Sequence, residues 1–133
     1  MAKEIIRNIS PETIPFHPNT FVVDRFKLIS VISALNILRN SYKSDNFLEV
    51  LSEFKRPFLL ILDDLGKQKM TEWASETLFE IINYRYNWNK PTIYTSNASL
   101  PDLLPEMGGG IVSRIKGSCQ VIEIKGKDYR LNA

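Results

Sequence analysis

No glycine precedes Gly66 in this 133-residue chain. That absence excludes the phosphate-cradling loop G-x-x-x-x-G-K-[ST] from everything upstream of residue 66. The run Gly108-Gly109-Gly110 cannot replace it, because no Lys-Ser/Thr pair follows. Cysteine is almost missing too. Cys119 stands alone, which permits no internal disulfide and fits a reducing, cytoplasmic setting. With His17 the single histidine, the usual zinc ligand sets cannot be assembled. Long apolar runs are absent as well: the longest, Phe58 to Leu62, is far too short to span a bilayer, so no membrane partner is expected. Lys3, Glu4 and Arg7 near the N-terminus are followed by no apolar stretch, and a signal peptide is not expected. Seventeen basic against fifteen acidic residues leave a formal charge of +2, too little to argue for nucleic acid by itself.

The hydrophobic share of 44% and the charged share of 24% are those of an ordinary soluble chain, of a length that suits one domain with one core. Pro11, Pro15 and Pro18 with intervening Ser and Asn predict an irregular arm over residues 1–25. Thr20–Val23 and Phe26–Ser30 are β-rich, as one strand or two. Ile32, Leu35 and Leu38, then Phe47, Leu48, Leu51 and Phe54, recur at helical spacing, the second set after Ser44 or Asp45 as a cap. Thr71 is placed to cap a long helix over Glu72–Trp88, which Pro91 ends. Thr92–Thr95 and Cys119–Ile124 read as strands, with a short helix near Leu100–Pro105. Strands alternating with helices predict a largely parallel α/β sheet.

Chemistry is concentrated at Leu59-Leu60-Ile61-Leu62-Asp63-Asp64-Leu65-Gly66. A continuous apolar run reads as a buried strand, and two carboxylates at its carboxyl end lie where α/β sheets bind ligands. Paired acids there suit Mg²⁺ on one and a water polarised by the other. The plain alternative is that turns favour Asp. Thr95-Ser96-Asn97 tips the next strand, so Asn97 could reach the same crevice or simply open a turn. Gly110-Ile111-Val112-Ser113-Arg114-Ile115 offers an arginine for a neighbouring triphosphate, or a surface salt bridge. Tyr84-Arg85-Tyr86-Asn87-Trp88 interleaves aromatics with a cation, so Arg85, Tyr86 and Trp88 could stack on single-stranded DNA, or merely finish an amphipathic helix. The stretch from Arg114 to Arg130 is modestly basic.

Order and spacing of these elements carry a resemblance. From about Phe26 to Arg130, the segments FKLISV, LRNSY, LLILDDLG, LFEIINYRY, KPTIYTSN, GIVSRI and GKDYR resemble the AAA+ ATPase core of bacterial helicase loaders of the DnaC/DnaI type. IstB-like transposition helper ATPases are similar across the acid-tipped strand. The resemblance implies a P-loop NTPase (AAA+/ASCE) fold, a parallel sheet with helices on both faces, truncated or remodelled at its N-terminus, with residues 26–133 a partial AAA+ core. It implies ATP and Mg²⁺ as ligands, Asp63 as the Walker B metal acid, Asp64 as the water-polarising acid, Asn97 as the sensor of the γ-phosphate, and Arg114 as an arginine finger acting in trans. Implied partners are a replicative helicase or a full-length loader, single-stranded DNA and further copies of the chain. Without the phosphate loop, the chain alone is not expected to bind ATP in the ordinary way, and a non-catalytic docking module or an IstB-like remnant are the rival readings. In such a sheet the first strand is central. Thr20–Val23 cannot fill that slot and feed Phe26 through two residues, since parallel crossovers need about a dozen. The arm in another orientation, a second chain, or a remodelled sheet must therefore fill it.

Overall fold

A computed structural model describes residues 25–66, 70–128 and 130, and the backbone of residues 3–7. The elements in chain order are β1 (Lys3–Arg7), β2 (Phe26–Ser30), α1 (Val31–Ser41), α2 (Phe47–Lys55), β3 (Leu59–Asp63), α3 (Glu72–Asn87), β4 (Thr92–Ser96), α4 (Leu100–Met107), α5 (Gly109–Ser118) and β5 (Cys119–Glu123). They form one sheet of order β2-β3-β4-β1-β5. Strands β2, β3 and β4 are parallel, whereas β1 runs antiparallel to both β4 and β5. The arm expected to be irregular thus contains a strand, and that strand fills the central slot in the reversed direction. An antiparallel strand can enter there because its pairing needs no crossover from β4. Thr20–Val23 and His17 lie outside the described residues.

Helix boundaries follow local chemistry. Ser30, Thr71 and Ser99 each occupy an N-cap and accept a backbone N–H from three residues on, with Ser33 N at 3.1 Å, Ala74 N at 3.2 Å and Asp102 N at 3.3 Å. Helix α3 closes in a Schellman motif. Asn89 takes φ 52°, its N–H donates to Tyr86 O, and Lys90 N–H donates to Arg85 O at 2.8 Å. Pro91 then prevents continuation. The expected Ser44 or Asp45 cap of α2 is corrected: Asn46 is the N-cap and makes no side-chain cap bond, because Asp45 at φ 54° turns the chain one residue later. Helix α5 begins within the glycine run, at Gly109. A Cβ on Gly110 would lie 2.9 Å from Phe79 Cε2, so the missing side chain lets α5 approach α3 closely.

The core shows how the layers sit. Consecutive parallel strands step across the sheet in one direction, and right-handed crossovers then put their helices on one face. Leu60, Leu62 and Tyr94 supply the sheet's side of the core, against Leu35, Leu38, Phe54, Leu78, Ile81 and Ile82 from the helices. Alternate residues Leu59, Ile61 and Ile93 belong to the opposite face and are only partly buried.

At the amino ends of β3 and β4 lies a fully buried cation. Arg85 has no solvent exposure. Its Nε donates to Thr92 Oγ1 at 2.8 Å, Nη1 to Lys55 O at 3.0 Å and Pro57 O at 2.9 Å, and Nη2 to Pro91 O at 2.6 Å and Phe58 O at 3.3 Å. The fork therefore collects the terminal carbonyls of α2 and those leading into two strands. Lys90 donates to Arg56 O at 3.1 Å beside it, and burial, then the Arg85 charge, push the Lys90 pKa down. This overturns Arg85 as a nucleic-acid contact: its side chain is spent on backbone acceptors. Arg85→Ala leaves several buried carbonyls without a donor and should lose about 3–5 kcal/mol. Arg85→Lys should lose much of the same, because an ammonium cannot reproduce the planar fork. Urea unfolding midpoints check this, and an unchanged midpoint for Arg85→Ala would refute the bracing role.

Candidate functional site at the carboxyl edge of the sheet

The acids sit where β3 leaves the sheet. Asp63 ends the strand, and its Oδ1 accepts the Thr95 hydroxyl from neighbouring β4. Thr95 Oγ1 in turn accepts the Asp64 N–H at 3.0 Å, while Thr95 O accepts the Leu65 N–H at 2.7 Å. Ser96, buried, donates to Leu65 O at 2.7 Å and accepts the Ala98 N–H at 3.0 Å. One strand tip thereby fixes the loop leaving the other. Asp64 adopts φ 59°, a left-handed conformation that Asp and Asn tolerate better than most side chains. Gly66 follows at φ 79° against Leu103 Cδ2, leaving no room for a Cβ. The two turns aim consecutive carboxylates differently, Asp63 toward Thr95 and Asp64 into a cleft of about 170 Å³ that it lines with Leu65, Gly66, Asn97 and Ala98.

The structure places Asp64 and Asn97 on one cleft, and Asp63 beside it against Thr95 at the strand tip. The donors are two carboxylates, a hydroxyl and an amide oxygen, all hard oxygen ligands, and Mg²⁺ is held by one or two carboxylates together with phosphate oxygens and water. That set fits Mg²⁺. No cluster of three His, Cys, Asp or Glu that could hold a metal ion occurs among the described residues. A whole-ligand pocket usually runs from about 300 Å³ upward, and this cleft is smaller than that.

Arg114 is elsewhere. On α5 its Nε donates to Asn83 Oδ1 at 2.9 Å, and its guanidinium stands 4.9 Å from the Phe79 ring centre and 6.0 Å from that of Tyr86. It thus lies along the 79–83–86 face of α3 and does not line the Asp64 cleft. Tyr86 and Trp88 are exposed at the end of α3, whereas Arg85 between the aromatics is buried. Arg130, read from sequence only as part of a diffuse basic tail, has a closer relation to the site. Its hydrogen bond to Asp128, and the charges of Asp128 and then Asp64, raise its pKa; the same hydrogen bond lowers that of Asp128. The tail segment GKDYR was the one sequence signal that could have marked it.

A parallel sheet whose adjacent strand tips present paired acids and an Asn-bearing turn is the carboxyl-edge geometry of P-loop nucleotide-binding domains. Residues 24–133 match the IstB-like ATP binding protein family, and the chain belongs to it. The phage-like element PBSX protein XkdC of Bacillus subtilis is 32% identical over 62% of this chain and 33% of its own length. The replicative helicase loader DnaI of the same organism is 35% identical over 50% of this chain and 22% of its own. The crystal structure of the DnaC helicase loader superposes with a TM-score of 0.63 at 29% identity, over 70% of this chain and 56% of that one. The chain thus spans a third or less of the length of these two Bacillus relatives.

Gly66→Ala should lose about 2–3 kcal/mol through left-handed strain and collision with Leu103. Asp64→Asn keeps the tolerated conformation and should change stability by about 1 kcal/mol or less. Paired urea titrations distinguish them. Equal loss in the two variants would mean that the Asp64 charge, not the backbone turn, holds the loop.

Proposed function

We propose that this chain provides the acid-bearing edge of a Mg²⁺·ATP site in cytoplasmic machinery that places a replicative helicase on single-stranded DNA. The observation that carries this is the Asp63–Thr95–Asp64 junction beside Asn97, on a chain of an ATP-binding family with helicase-loader relatives. Asp63 holds the metal, with Thr95 fixing which carboxylate oxygen is left to coordinate. Asp64 orients the attacking water, its direction set by the left-handed turn. Asn97 contacts the γ-phosphate from the adjacent strand tip. Arg114, braced by Asn83 on the outer face of α3 and α5, completes the site of a neighbouring copy. When bound, Mg²⁺ supplies charge neutralisation between the phosphates. A replicative helicase or a full-length loader is the protein partner. Tyr86 and Trp88 are the side chains open to single-stranded DNA. Among the described residues no helix is long and apolar enough to cross a membrane.

A second reading, a non-catalytic module docked on a complete loader or IstB-like protein, is favoured by one specific observation: no phosphate loop precedes Asp63 in this sequence. Titration of the chain with a fluorescent ATP analogue, with and without Mg²⁺, separates the two. The ATP-site reading expects Mg²⁺-dependent binding that Asp63→Asn weakens by roughly tenfold or more. No saturable binding up to high micromolar analogue would overturn it in favour of the docking module.

A further inference from the structure

Helices α3 and α5 meet along two matched rows. Phe79, Asn83 and Tyr86 share one face of α3, and Gly110, Arg114 and Gly117 share one face of α5, each set spaced by four and then three residues. The rows meet in the same order. Gly110 lies against the Phe79 ring, and a Cβ on Gly117 would stand 3.8 Å from the Tyr86 hydroxyl oxygen. Arg114, between the two glycines, reaches Asn83, with its guanidinium 4.9 Å from the Phe79 ring centre and 6.0 Å from that of Tyr86. Both distances fall within cation–π range. The glycines on either side of the arginine thus leave room for the two rings that flank it, and bring α5 close enough for Asn83 to be reached.

The bonding of this arginine is one-sided. Asn83 Oδ1 accepts the Nε–H at 2.9 Å. Nη1 stands 3.4 Å from Gly110 O, longer than a good N–H···O bond, and Nη2 has no hydrogen-bond acceptor among the described residues. Arg85 provides the contrast. It is buried, and all three of its nitrogens donate to neighbouring acceptors, which is how an arginine ties helices to strands. Arg114 is only half-buried. Its Nε is fixed, while the edge formed by Nη1 and Nη2 stays available to an acceptor from outside. A planar fork of that kind suits two oxygens of one phosphate. Arginine also loses much rotamer freedom when it engages a ligand, and a bond at Nε with a ring against the guanidinium has already removed part of it.

We propose that Asn83 is a positioning residue: with Phe79 it holds Arg114 in one orientation, its Nη1–Nη2 edge presented to the triphosphate of a neighbouring copy or full-length loader. This rests on the reading of Arg114 as the residue that completes a neighbour's site. It adds that one nitrogen of the guanidinium is committed beforehand, to a side chain that touches no nucleotide.

Two measurements test it. The first is ¹⁵N relaxation at the Arg114 Nε–H of the chain alone. The parent should give an order parameter of about 0.8 and Asn83→Ala one of about 0.6 or less. Asn83→Asp should stay close to the parent, because its carboxylate keeps an acceptor at the same reach. A parent value below about 0.6 would overturn the proposal, since nothing would then be positioned. The second is ATP hydrolysis by the full-length Bacillus loader, held dilute with the chain in excess. Stimulation by the parent chain is expected, and Arg114→Ala should abolish it. Asn83→Ala should lower the stimulated kcat roughly tenfold with KM changed by about twofold or less, and Asn83→Asp should restore kcat to within about threefold. Both Asn83 variants should melt within a few degrees of the parent. A large fall in melting temperature for both would assign Asn83 to packing alone and defeat the proposal. If Asn83→Ala stimulates as well as the parent while Arg114→Ala does not, the positioning role fails and the arginine's role survives. If the parent does not stimulate, or Arg114→Ala leaves stimulation intact, the reading of Arg114 fails and the proposal falls with it.

Discussion

A guanidinium sealed from water fixes the base of this sheet, and the functional edge depends on it. Arg85 reaches from α3 to the end of α2 and to the residues leading into β3 and β4. The buried Pro57 carbonyl takes its donor from this fork, while Pro91 O accepts the Leu60 N–H as well. By binding them from one rigid fork, Arg85 sets the relative height at which β3 and β4 begin. Parallel strands started in register end in register. Asp63 consequently arrives beside Thr95 at the opposite edge.

That arrival is what makes two adjacent acids chemically distinct. Thr95 donates to Asp63 and accepts from the Asp64 backbone, so one hydroxyl orients the first carboxylate and fixes the peptide plane that launches the second. The left-handed conformations of Asp64 and Gly66 then turn the chain away from the strand direction. In a straight strand the two side chains would merely have pointed to opposite faces.

The reversed β1 shows how a mostly parallel sheet takes up an antiparallel inner strand. Antiparallel pairing satisfies the facing edges of β4 and β5, which would otherwise invite pairing with another chain. It satisfies backbone hydrogen bonding without bringing a crossover helix, because no parallel connection is made. One face of the sheet is thereby left with apolar rows at Phe26, Leu28 and Ile61 that the described helices do not cover.

Much of this was legible in the residues. The apolar run into Asp63-Asp64 fixed the strand and its chemical end. Thr71 and Pro91 marked the two ends of α3, and the strand tip at Thr95-Ser96-Asn97 was visible from β-branching followed by turn residues. These are local signals, set by side-chain bonds to nearby backbone and by φ preferences. Sequence did not reveal that Lys3–Arg7 is a strand, since five residues of mixed polarity pair only when two unpaired edges lie at the right separation. Nor did it reveal the fate of Arg85, which looked like a cation among aromatics suited to nucleic acid. Its role arises from carbonyls distant in sequence, nearly thirty residues away at Pro57 and Phe58, that converge only when α2, α3 and two strands pack together. Local pattern determined the elements and the acid pair; the hydrogen-bond demands of buried backbone decided where the buried cation went.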